Sequence, residues 1–370
     1  MQTVLVSGGG IAGLTLAHWL RRNGFAPTVV ELAAAPRRGG QAVDIRGVAL
    51  DVVDRMGLTG PIRAARTRMR GMSVLDADGN EVHRSTEATY SSGRLDSDDV
   101  ELLREDLVAL LHEHASEGVE FVSGDSITGL REDEHGVHVT FAHGAPRTFD
   151  LVVGADGLHS GVRRLAFGPE ERFLRHLGSH VAIFGADNFL GLEDWQVWQR
   201  DGHAGYGIYP VRGNRELRIT FGYGSDEPAV RDMAVARRQV AERMGALRWE
   251  TPRLLAALER APDFYADVMA QVHLDRWSVG RTALVGDAGY CASLLSGQGT
   301  SLALVGAHVL ADELGRERAA GGDHRAAFTR YEERMRPFVA LNQALATENP
   351  GGPPAEESVE RAKHAIALDR

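Results

Sequence analysis

The sequence predicts an α/β fold with a second, strand-rich unit interleaved in the chain. Within residues 2–32 a short apolar strand, a glycine-rich turn, a helical pattern and a second strand follow one another. This order is a βαβ unit with a right-handed crossover. Residues 177–223 contain several strands rich in aromatic residues, with no helix between them. These strands predict a separate sheet, which parts of residues 65–95 join.

The other elements follow from hydrophobic periodicity and from turn and capping residues. A hairpin is expected over residues 71–84, turning at Asp78-Gly79, and alternating strands over 119–153. A buried strand is expected at 281–286. Helices are expected over residues 47–56, from an N-cap at 96–99 to about 114, within 230–260, and over 299–314, 321–346 and 355–369.

These elements predict three parts. A discontinuous nucleotide-binding domain is expected from residues 1–64, 96–176 and 270–348. The second domain is expected from 65–95 and 177–269, and a linker with a C-terminal helix occupies 349–370.

Composition excludes several classes of function. The 370-residue chain has a formal net charge of −10, which argues against nucleic acid or an anionic membrane as the main partner. No apolar run approaches the roughly 20 residues of a transmembrane helix. The first strand begins at Gln2, which leaves no room for a signal peptide. We therefore expect a cytoplasmic protein with a small-molecule partner.

Two residue counts exclude further chemistry. Cys291 is the only cysteine, so an internal disulfide, a cysteine metal cluster and a redox dithiol are excluded. Cys291 itself is interpreted as a small buried packing residue. Lys363 is the only lysine and lies near the C-terminus, which makes a Schiff-base lysine implausible. His112 and His114 are two residues apart on a helix and cannot share a metal ion, and no metal site is expected.

The first motif is G-G-G-I-A-G at residues 8–13, between the first strand and helix. Gly8 permits the tight turn, Gly10 lets a pyrophosphate approach the backbone, and Gly13 lets the helix pack against the strand. Ala12 lies in the same first turn, whose N–H groups would bind the phosphates. Glu31 ends the second strand and is placed to accept from both hydroxyls of an adenosine ribose. The motif leaves FAD and NAD both open.

Two later segments carry a resemblance to a family. Residues 150–163 read D-L-V-V-G-A-D-G-L-H-S-G-V-R, and residues 281–301 read R-T-A-L-V-G-D-A-G-Y-C-A-S-L-L-S-G-Q-G-T-S. With the first motif, they resemble the single-component FAD-dependent aromatic hydroxylases and monooxygenases. The resemblance implies a glutathione-reductase-like Rossmann FAD domain with a mixed β-sheet substrate domain. It also places Asp156 close to FAD and the nicotinamide cofactor, and Asp287 on the ribityl chain.

The same resemblance implies the reaction. NADPH or NADH reduces the flavin, O2 adds to form a C4a-hydroperoxyflavin, and one oxygen atom passes to an electron-rich aromatic or polycyclic substrate. Two alternatives remain: a flavin-dependent reductase or dehydrogenase that inserts no oxygen, and a non-catalytic FAD protein that sequesters a ligand. No catalytic acid or base is assigned.

Further cofactor residues follow from local chemistry and from the family pattern. Gly297, Gly299 and Thr300 open a helix whose N–H groups would face the flavin, and the glycines let the backbone lie against a flat ring. For Asp287 the alternative is a plain helix N-cap. The resemblance brings Arg104 to the ribityl-phosphate region and Arg46 near the flavin or pyrophosphate. Arg38 is a candidate for the charges of the nicotinamide cofactor, although these arginines could also be solvated side chains without a role.

The segments R-R-G-G-Q-A-V-D-I-R-G and G-D-A-G-Y-C-A-S-L-L-S-G-Q-G-T-S-L-A also look similar to the tetracycline-inactivating flavin monooxygenases. Tyr290 and Leu294 stand where the wider family usually has His and Pro, and Leu294 would change the substrate side of the flavin. A tetracycline-like phenol–enol substrate is therefore one expectation. The substrate-contact candidates are Gln41, Phe184, Tyr206, Tyr209, Phe221 and Leu294. Trp198 is expected, like the other aromatic residues of the second sheet, to line the cavity or its rear wall, and core packing is the alternative for each aromatic residue.

Overall fold

The computed structural model describes residues 1–35, 39–349 and 352–369 and contains two principal sheets. The strands of the first sheet are β1 (Thr3–Ser7), β2 (Ala26–Glu31), β9 (Glu120–Ser123), β13 (Leu151–Gly154), β19 (Ser278–Val279) and β20 (Thr282–Leu284). They lie in the order β19-β20-β13-β1-β2-β9. All pairs are parallel except β19 with β20. Helix α1 (Ile11–Arg22) joins β1 to β2, which confirms the predicted βαβ unit.

The second sheet contains seven strands in the order β18-β14-β17-β16-β15-β4-β5. Their bounds are β4 (Gly71–Leu75), β5 (Glu81–Ser85), β14 (Leu174–Asp187), β15 (Trp195–Asp201), β16 (Ala204–Val211), β17 (Glu216–Gly224) and β18 (Tyr265–Val272). The sheet is mixed, because β15 and β4 pair in parallel whereas the other neighbours are antiparallel. The hairpin of β4 and β5 confirms the one predicted around Asp78-Gly79.

Smaller sheets and the helices complete the described chain. The remaining strands are β3 (Ala42–Ile45), β6 (Ala88–Thr89), β7 (Gly93–Arg94), β8 (Val100–Leu103), β10 (Ile127–Asp133), β11 (Gly136–Phe141) and β12 (Arg147–Phe149). The remaining helices are α2 (Val48–Arg55), α3 (Thr59–Ala64), α4 (Arg104–Ala115), α5 (Gly161–Ala166), α6 (Met233–Met244), α7 (Thr251–Arg260), α8 (Asp287–Tyr290), α9 (Gly299–Ala320), α10 (His324–Glu348) and α11 (Glu356–Lys363). No helix of the described residues combines the length and apolar character needed to cross a membrane.

Each principal sheet has its own hydrophobic core. In the first, the central strand β1 buries Val4, Leu5 and Val6 completely, the continuous apolar run expected of a parallel strand covered on both faces. In the second, one face packs against α6 and α7, with Phe184, Phe221 and Leu258 among the fully buried side chains. The opposite face of this sheet is turned toward the first sheet, and the site lies between them.

The structure differs from the sequence prediction at the start of α4. Residues 96–103 do not cap and begin that helix; Val100–Leu103 form strand β8, which pairs antiparallel with β3. The run E-L-L-R-E-D-L-V-A-L-L has helical periodicity, but Glu101 is buried and accepts a hydrogen bond from Thr67 Oγ1 at 2.5 Å. A contact distant in sequence therefore overrides the local pattern. The domain boundaries drawn at 176/177 and 269/270 fall inside β14 and β18.

Candidate functional site

A cavity of about 3060 Å³ lies between the two sheets. It is lined by the carboxyl ends of β1, β2 and β13, by the start of α9, and by strands β14 to β18. Cavities for single small ligands are typically about 300–1,000 Å³. This one has room for a dinucleotide and a second molecule, and in open α/β sheets ligands bind at the carboxyl ends of the strands.

The Gly8–Gly13 loop forms one end of this cavity. Gly8 has a φ of +108°, and a Cβ on it would lie 2.5 Å from the Ala155 oxygen. A Cβ on Gly13 would lie 1.9 Å from the Gly8 oxygen, so α1 packs directly on the turn. A Cβ on Gly10 would meet no atom within 4 Å, because this position opens into the cavity. Helix α1 has no side-chain cap and no acidic residue in its first turn, which suits an anion such as a pyrophosphate.

Glu31 lies at the end of β2, beside this loop. Its Oε2 accepts a hydrogen bond from the Gly9 N–H at 2.7 Å, and its Oε1 accepts from the Ala33 N–H at 2.8 Å. Two backbone donors therefore fix the orientation of the carboxylate. Each of its oxygens can accept a further hydrogen bond, so Glu31 can still bind the hydroxyls of a ribose.

Asp156 follows the end of β13 and lines the middle of the cavity. Its carboxylate accepts hydrogen bonds from the Ser160 hydroxyl, from the Val162 N–H at 3.1 Å and from the Ser7 hydroxyl at 3.4 Å. Burial raises the pKa of Asp156, while the hydrogen bonds from the Ser160 hydroxyl and the Val162 N–H favour its ionised form. The contacts show Asp156 joining the loop after β13 to the end of β1. Asp156 thereby holds the cavity wall in place.

Asp287 follows β20, and its side chain is open to the cavity. The surrounding walls desolvate the carboxylate and raise its pKa, whereas a contact with Cys291 and the positive charge of Arg104 lower it. Arg104 also lines the cavity. An acceptor and a cation therefore face the same space, as a polyol joined to a phosphate requires.

The start of α9 forms the part of the cavity wall that follows Asp287 in the chain. Gly297, Gly299 and Thr300 all line the cavity. Gly297 has a φ of +63°, and a Cβ on it would lie 3.8 Å from the Arg46 guanidinium. Arg46 is buried, forms a 2.9 Å ion pair with Asp44, and donates to the Ser91 carbonyl at 3.1 Å. The free N-terminus of α9 would favour negative charge on a ring placed against it.

The shape and the polar groups of this cavity therefore fit a flavin dinucleotide. The space next to Gly10 is large enough for a pyrophosphate, and the Glu31 carboxylate has acceptor capacity left for the hydroxyls of a ribose. Asp287 is an acceptor open to the same cavity, and the N-terminus of α9 lines the cavity beside it. Ala12 also lines this space. Arg38 lies outside the described residues.

The substrate-contact candidates that belong to the second sheet divide between its two faces. Tyr209 lines the cavity, and its hydroxyl accepts from the Ala42 N–H at 2.8 Å; Gln41 and Leu294 also line the cavity. Leu294 is 46% exposed. Phe184, Tyr206 and Phe221 belong to the core packed on α6 and α7, and Tyr206 and Phe221 are also among the residues that line the cavity. Because side chains alternate along a strand, residues 206 and 209 point to opposite faces. For these three residues the burial favours core packing, the alternative given from the sequence, and their contact with a substrate stays a prediction.

Sequence reasoning missed a polar chain next to Arg46. The Trp198 Nε1–H donates to Gln196 Oε1 at 2.9 Å, and the Gln196 Nε2–H donates to the Ser91 hydroxyl at 2.5 Å. Trp198 and Ser91 line the cavity, and Gln196 is fully buried. The alternation W-Q-V-W-Q of β15 could have shown that residues 196 and 198 share one face, although not which face the cavity occupies.

A second missed group lies near Asp156. The ring nitrogens of His159 lie 3.0 Å from Glu170 Oε1 and 3.1 Å from the carboxylate of Asp267. Hydrogen bonds and negative charge from Asp267, and to a lesser extent from Glu170, raise the pKa of His159. His159 belongs to the first-sheet segment and Asp267 to β18, so the pair connects the two sheets beside the cavity. Among the residues described, no set of three or more His, Cys, Asp or Glu side chains is arranged to hold a metal ion.

Comparison with known proteins also indicates a protein that binds FAD. A family model described as "FAD binding domain" matches residues 1–345. An uncharacterized protein of Mycobacterium tuberculosis is 48% identical over 100% of this chain and 99% of its own. A flavin-dependent monooxygenase from an unknown prokaryotic organism is 37% identical over 99% of this chain and 98% of its own.

Among solved structures, the tetracycline destructase Tet(51) superposes with a TM-score of 0.90 at 33% identity, covering 100% of both chains. This likeness confirms the predicted fold class and the resemblance to tetracycline-inactivating enzymes. The matched length includes every cofactor-facing element described above. The chain belongs to the FAD-binding-domain family of flavin-dependent monooxygenases.

Proposed function

We propose that this protein uses NADPH or NADH and O2 to insert one oxygen atom into a flat aromatic or polycyclic phenol–enol substrate. The balance is one C–H bond of the substrate converted to C–OH. The second oxygen atom leaves as water, and NAD(P)H supplies two electrons. The observation that carries the proposal is the convergence of four separate segments on one cavity. These are the Gly8–Gly13 loop, Asp156, Asp287 and the N-terminus of α9, and the face of the second sheet lies opposite them.

The chain's own residues would hold the cofactor along the carboxyl edge of the first sheet. Gly10 and the N-terminus of α1 would bind the pyrophosphate, and Glu31 the adenosine ribose. Asp287 would accept from the ribityl hydroxyls, with Arg104 close to the phosphate. When bound, the flavin supplies the redox chemistry that activates O2.

The walls would control what happens next to the ring. The N-terminus of α9 would stabilise negative charge on the reduced cofactor. Arg46 would add positive charge from behind Gly297. The sheet face opposite would exclude water and orient the substrate, because a wet site loses reducing equivalents to hydrogen peroxide. The likeness to tetracycline destructases supports a multi-ring substrate with an electron-rich carbon.

A direct experiment tests the proposal in two stages. The purified protein should be yellow and should release intact FAD on denaturation. NAD(P)H oxidation and hydrogen peroxide release should then be followed against a panel of polycyclic phenols, tetracycline included. A true substrate should accelerate NAD(P)H oxidation, suppress peroxide and gain one 18-O atom from labelled O2. A product formed without oxygen uptake would instead establish a reductase or dehydrogenase.

A further inference from the structure

One part of the second sheet's cavity face has almost no side chains. Gly205 of β16 lies directly opposite Gly222 of β17, and Gly207 lies two residues along on the same face. All three line the cavity. Glycine in a strand interior weakens the strand and marks places where another group approaches the backbone closely. Gly205, Gly207 and Gly222 together form a flat patch, here called the glycine floor.

The three glycines have different neighbours. A Cβ on Gly205 would lie 2.5 Å from the Gln199 oxygen and 3.1 Å from the Arg200 Cα, so the backbone of β15 covers this residue. A Cβ on Gly207 would lie 2.5 Å from Cζ3 and 2.6 Å from Cη2 of Trp198, so the indole covers this residue. A Cβ on Gly222 would have a single neighbouring atom within 4 Å, the His180 carbonyl oxygen at 3.8 Å. Gly222 also lacks a positive φ. The backbone would accept a side chain at residue 222, and the space above it is open.

The indole of Trp198 is held in a defined position beside this floor. Its Nε1–H donates to Gln196, which bonds Ser91, whose carbonyl accepts from Arg46. The ring of Tyr90 meets the indole edge-on, with ring centroids 5.4 Å apart. Trp198 is half-buried and lines the cavity, so part of the indole remains available for contact. The hydrogen-bonded chain ties the indole to the arginine behind Gly297.

We propose that the glycine floor and the Trp198 indole are the surface on which the substrate's fused rings bind. Planar aromatic rings would lie over Gly222 and contact the indole. A flat backbone patch matches a flat ligand in shape. The indole adds an aromatic contact that a saturated ring of the same size cannot make. This inference rests on the proposed function, of whose substrate it specifies the shape and aromatic character.

The test measures binding to the oxidised FAD-loaded protein without NAD(P)H. By calorimetry, 2-naphthol is compared with decahydro-2-naphthol, which has the same ring skeleton and hydroxyl but no aromaticity. Wild type should bind 2-naphthol and bind the saturated compound more weakly. Trp198→Leu should weaken 2-naphthol binding about three- to tenfold, as expected for loss of an aromatic contact. The saturated compound should be much less affected.

The Gly222→Val variant tests the glycine floor independently of Trp198. Valine suits a strand and meets no close neighbour, so the variant should fold and retain FAD while its side chain occupies the floor. Its affinity for 2-naphthol should fall about tenfold or more. The matched control is Trp195→Leu on the same strand, because Trp195 bonds Ser73 and packs under Arg84. It should bind 2-naphthol within about twofold of wild type.

Four results would overturn the inference: no binding of 2-naphthol to wild type, equal binding of the saturated compound, wild-type affinity in Trp198→Leu, or wild-type affinity in Gly222→Val. Binding that follows the expected pattern, together with a product that lacks oxygen from O2, would support the glycine floor and Trp198 as the ring-binding surface. That combination would refute only the proposed monooxygenation.

Discussion

The Nζ of Lys363 lies 3.0 Å from Oδ2 of Asp99, and both side chains are at least nine-tenths buried. Asp99 also accepts from the Gly47 N–H at 3.2 Å, directly after Arg46. The chain's only lysine therefore fastens α11 to the segment that carries Arg46. Sequence reasoning used this lysine only to exclude Schiff-base chemistry, because its partner is distant in sequence.

Lys363→Ala should destabilise the protein by about 3 kcal/mol, since it leaves a buried carboxylate without its ionic partner. Urea unfolding of the FAD-loaded protein measures the change. Arg55→Ala is the control: Arg55 pairs with Asp369, which is 85% exposed at its side chain, and exposed pairs contribute about 0–1 kcal/mol. Equal effects of the two variants would contradict a structural role for the Lys363 pair.

Gly10→Ala and Gly13→Ala should separate cofactor binding from folding. The Gly13 variant places a methyl group against the Gly8 oxygen and should lose roughly 1–3 kcal/mol or more of stability even without FAD. The Gly10 variant has space for its methyl group and should unfold within about 1 kcal/mol of wild type. Its FAD affinity should nevertheless fall, because the methyl group occupies the pyrophosphate space. Titration of the FAD-free proteins and urea unfolding distinguish the two effects.

Asp287→Ala should weaken FAD binding about ten- to a hundredfold, from the loss of a charged acceptor worth roughly 1.5–3 kcal/mol. Asp287→Asn keeps one acceptor oxygen and should lose less. Neither variant should change the stability of the FAD-free protein appreciably, because the carboxylate is open to the cavity. Unchanged FAD affinity in both variants would show that Asp287 takes no part in binding the cofactor.

Stability should fall as the pH drops from about 6.5 to about 4, in part because of His308. Burial lowers the pKa of this residue to about 4, and its ring lies 4.6 Å from that of Trp19. In the unfolded chain His308 binds a proton near pH 6.5, whereas in the folded protein it stays neutral down to about pH 4. Protonation of His308 therefore favours unfolding between these pH values. Other groups titrate there as well, so the effect of His308 must be isolated by mutation.

His308→Leu removes that proton and should flatten the pH dependence. Between pH 7.5 and pH 5 the wild type should lose roughly 2 kcal/mol more than the variant in the free energy of unfolding. Urea unfolding at the two pH values measures the difference. Parallel curves for the two proteins would show that His308 binds its proton equally well in both states.

The cofactor side of the site was largely predictable from the sequence, and the substrate side was not. Gly8, Gly10 and Gly13 lie on a strand–turn–helix unit whose geometry is set within a few residues, so spacing was sufficient. Tyr206 and Tyr209 illustrate the opposite case. The pattern G-Y-G-I-Y shows that they occupy opposite faces of a strand. Only the packing of α6 and α7 decides which face is core, and those helices follow later in the chain.

The strand order of the first sheet also determines when the site can form during synthesis. The Gly8–Gly13 loop leaves the ribosome first. Strand β13, which pairs with β1, and strand β20, which pairs with β13, come much later, and α9, which packs on α1, follows them. Contacts between segments so far apart in the sequence form slowly during folding. The N-terminal half of the chain therefore has the Gly8–Gly13 loop but lacks the wall that bears Asp287. We expect FAD binding to be a late event in folding, and a nascent chain that ends before α9 should not retain FAD.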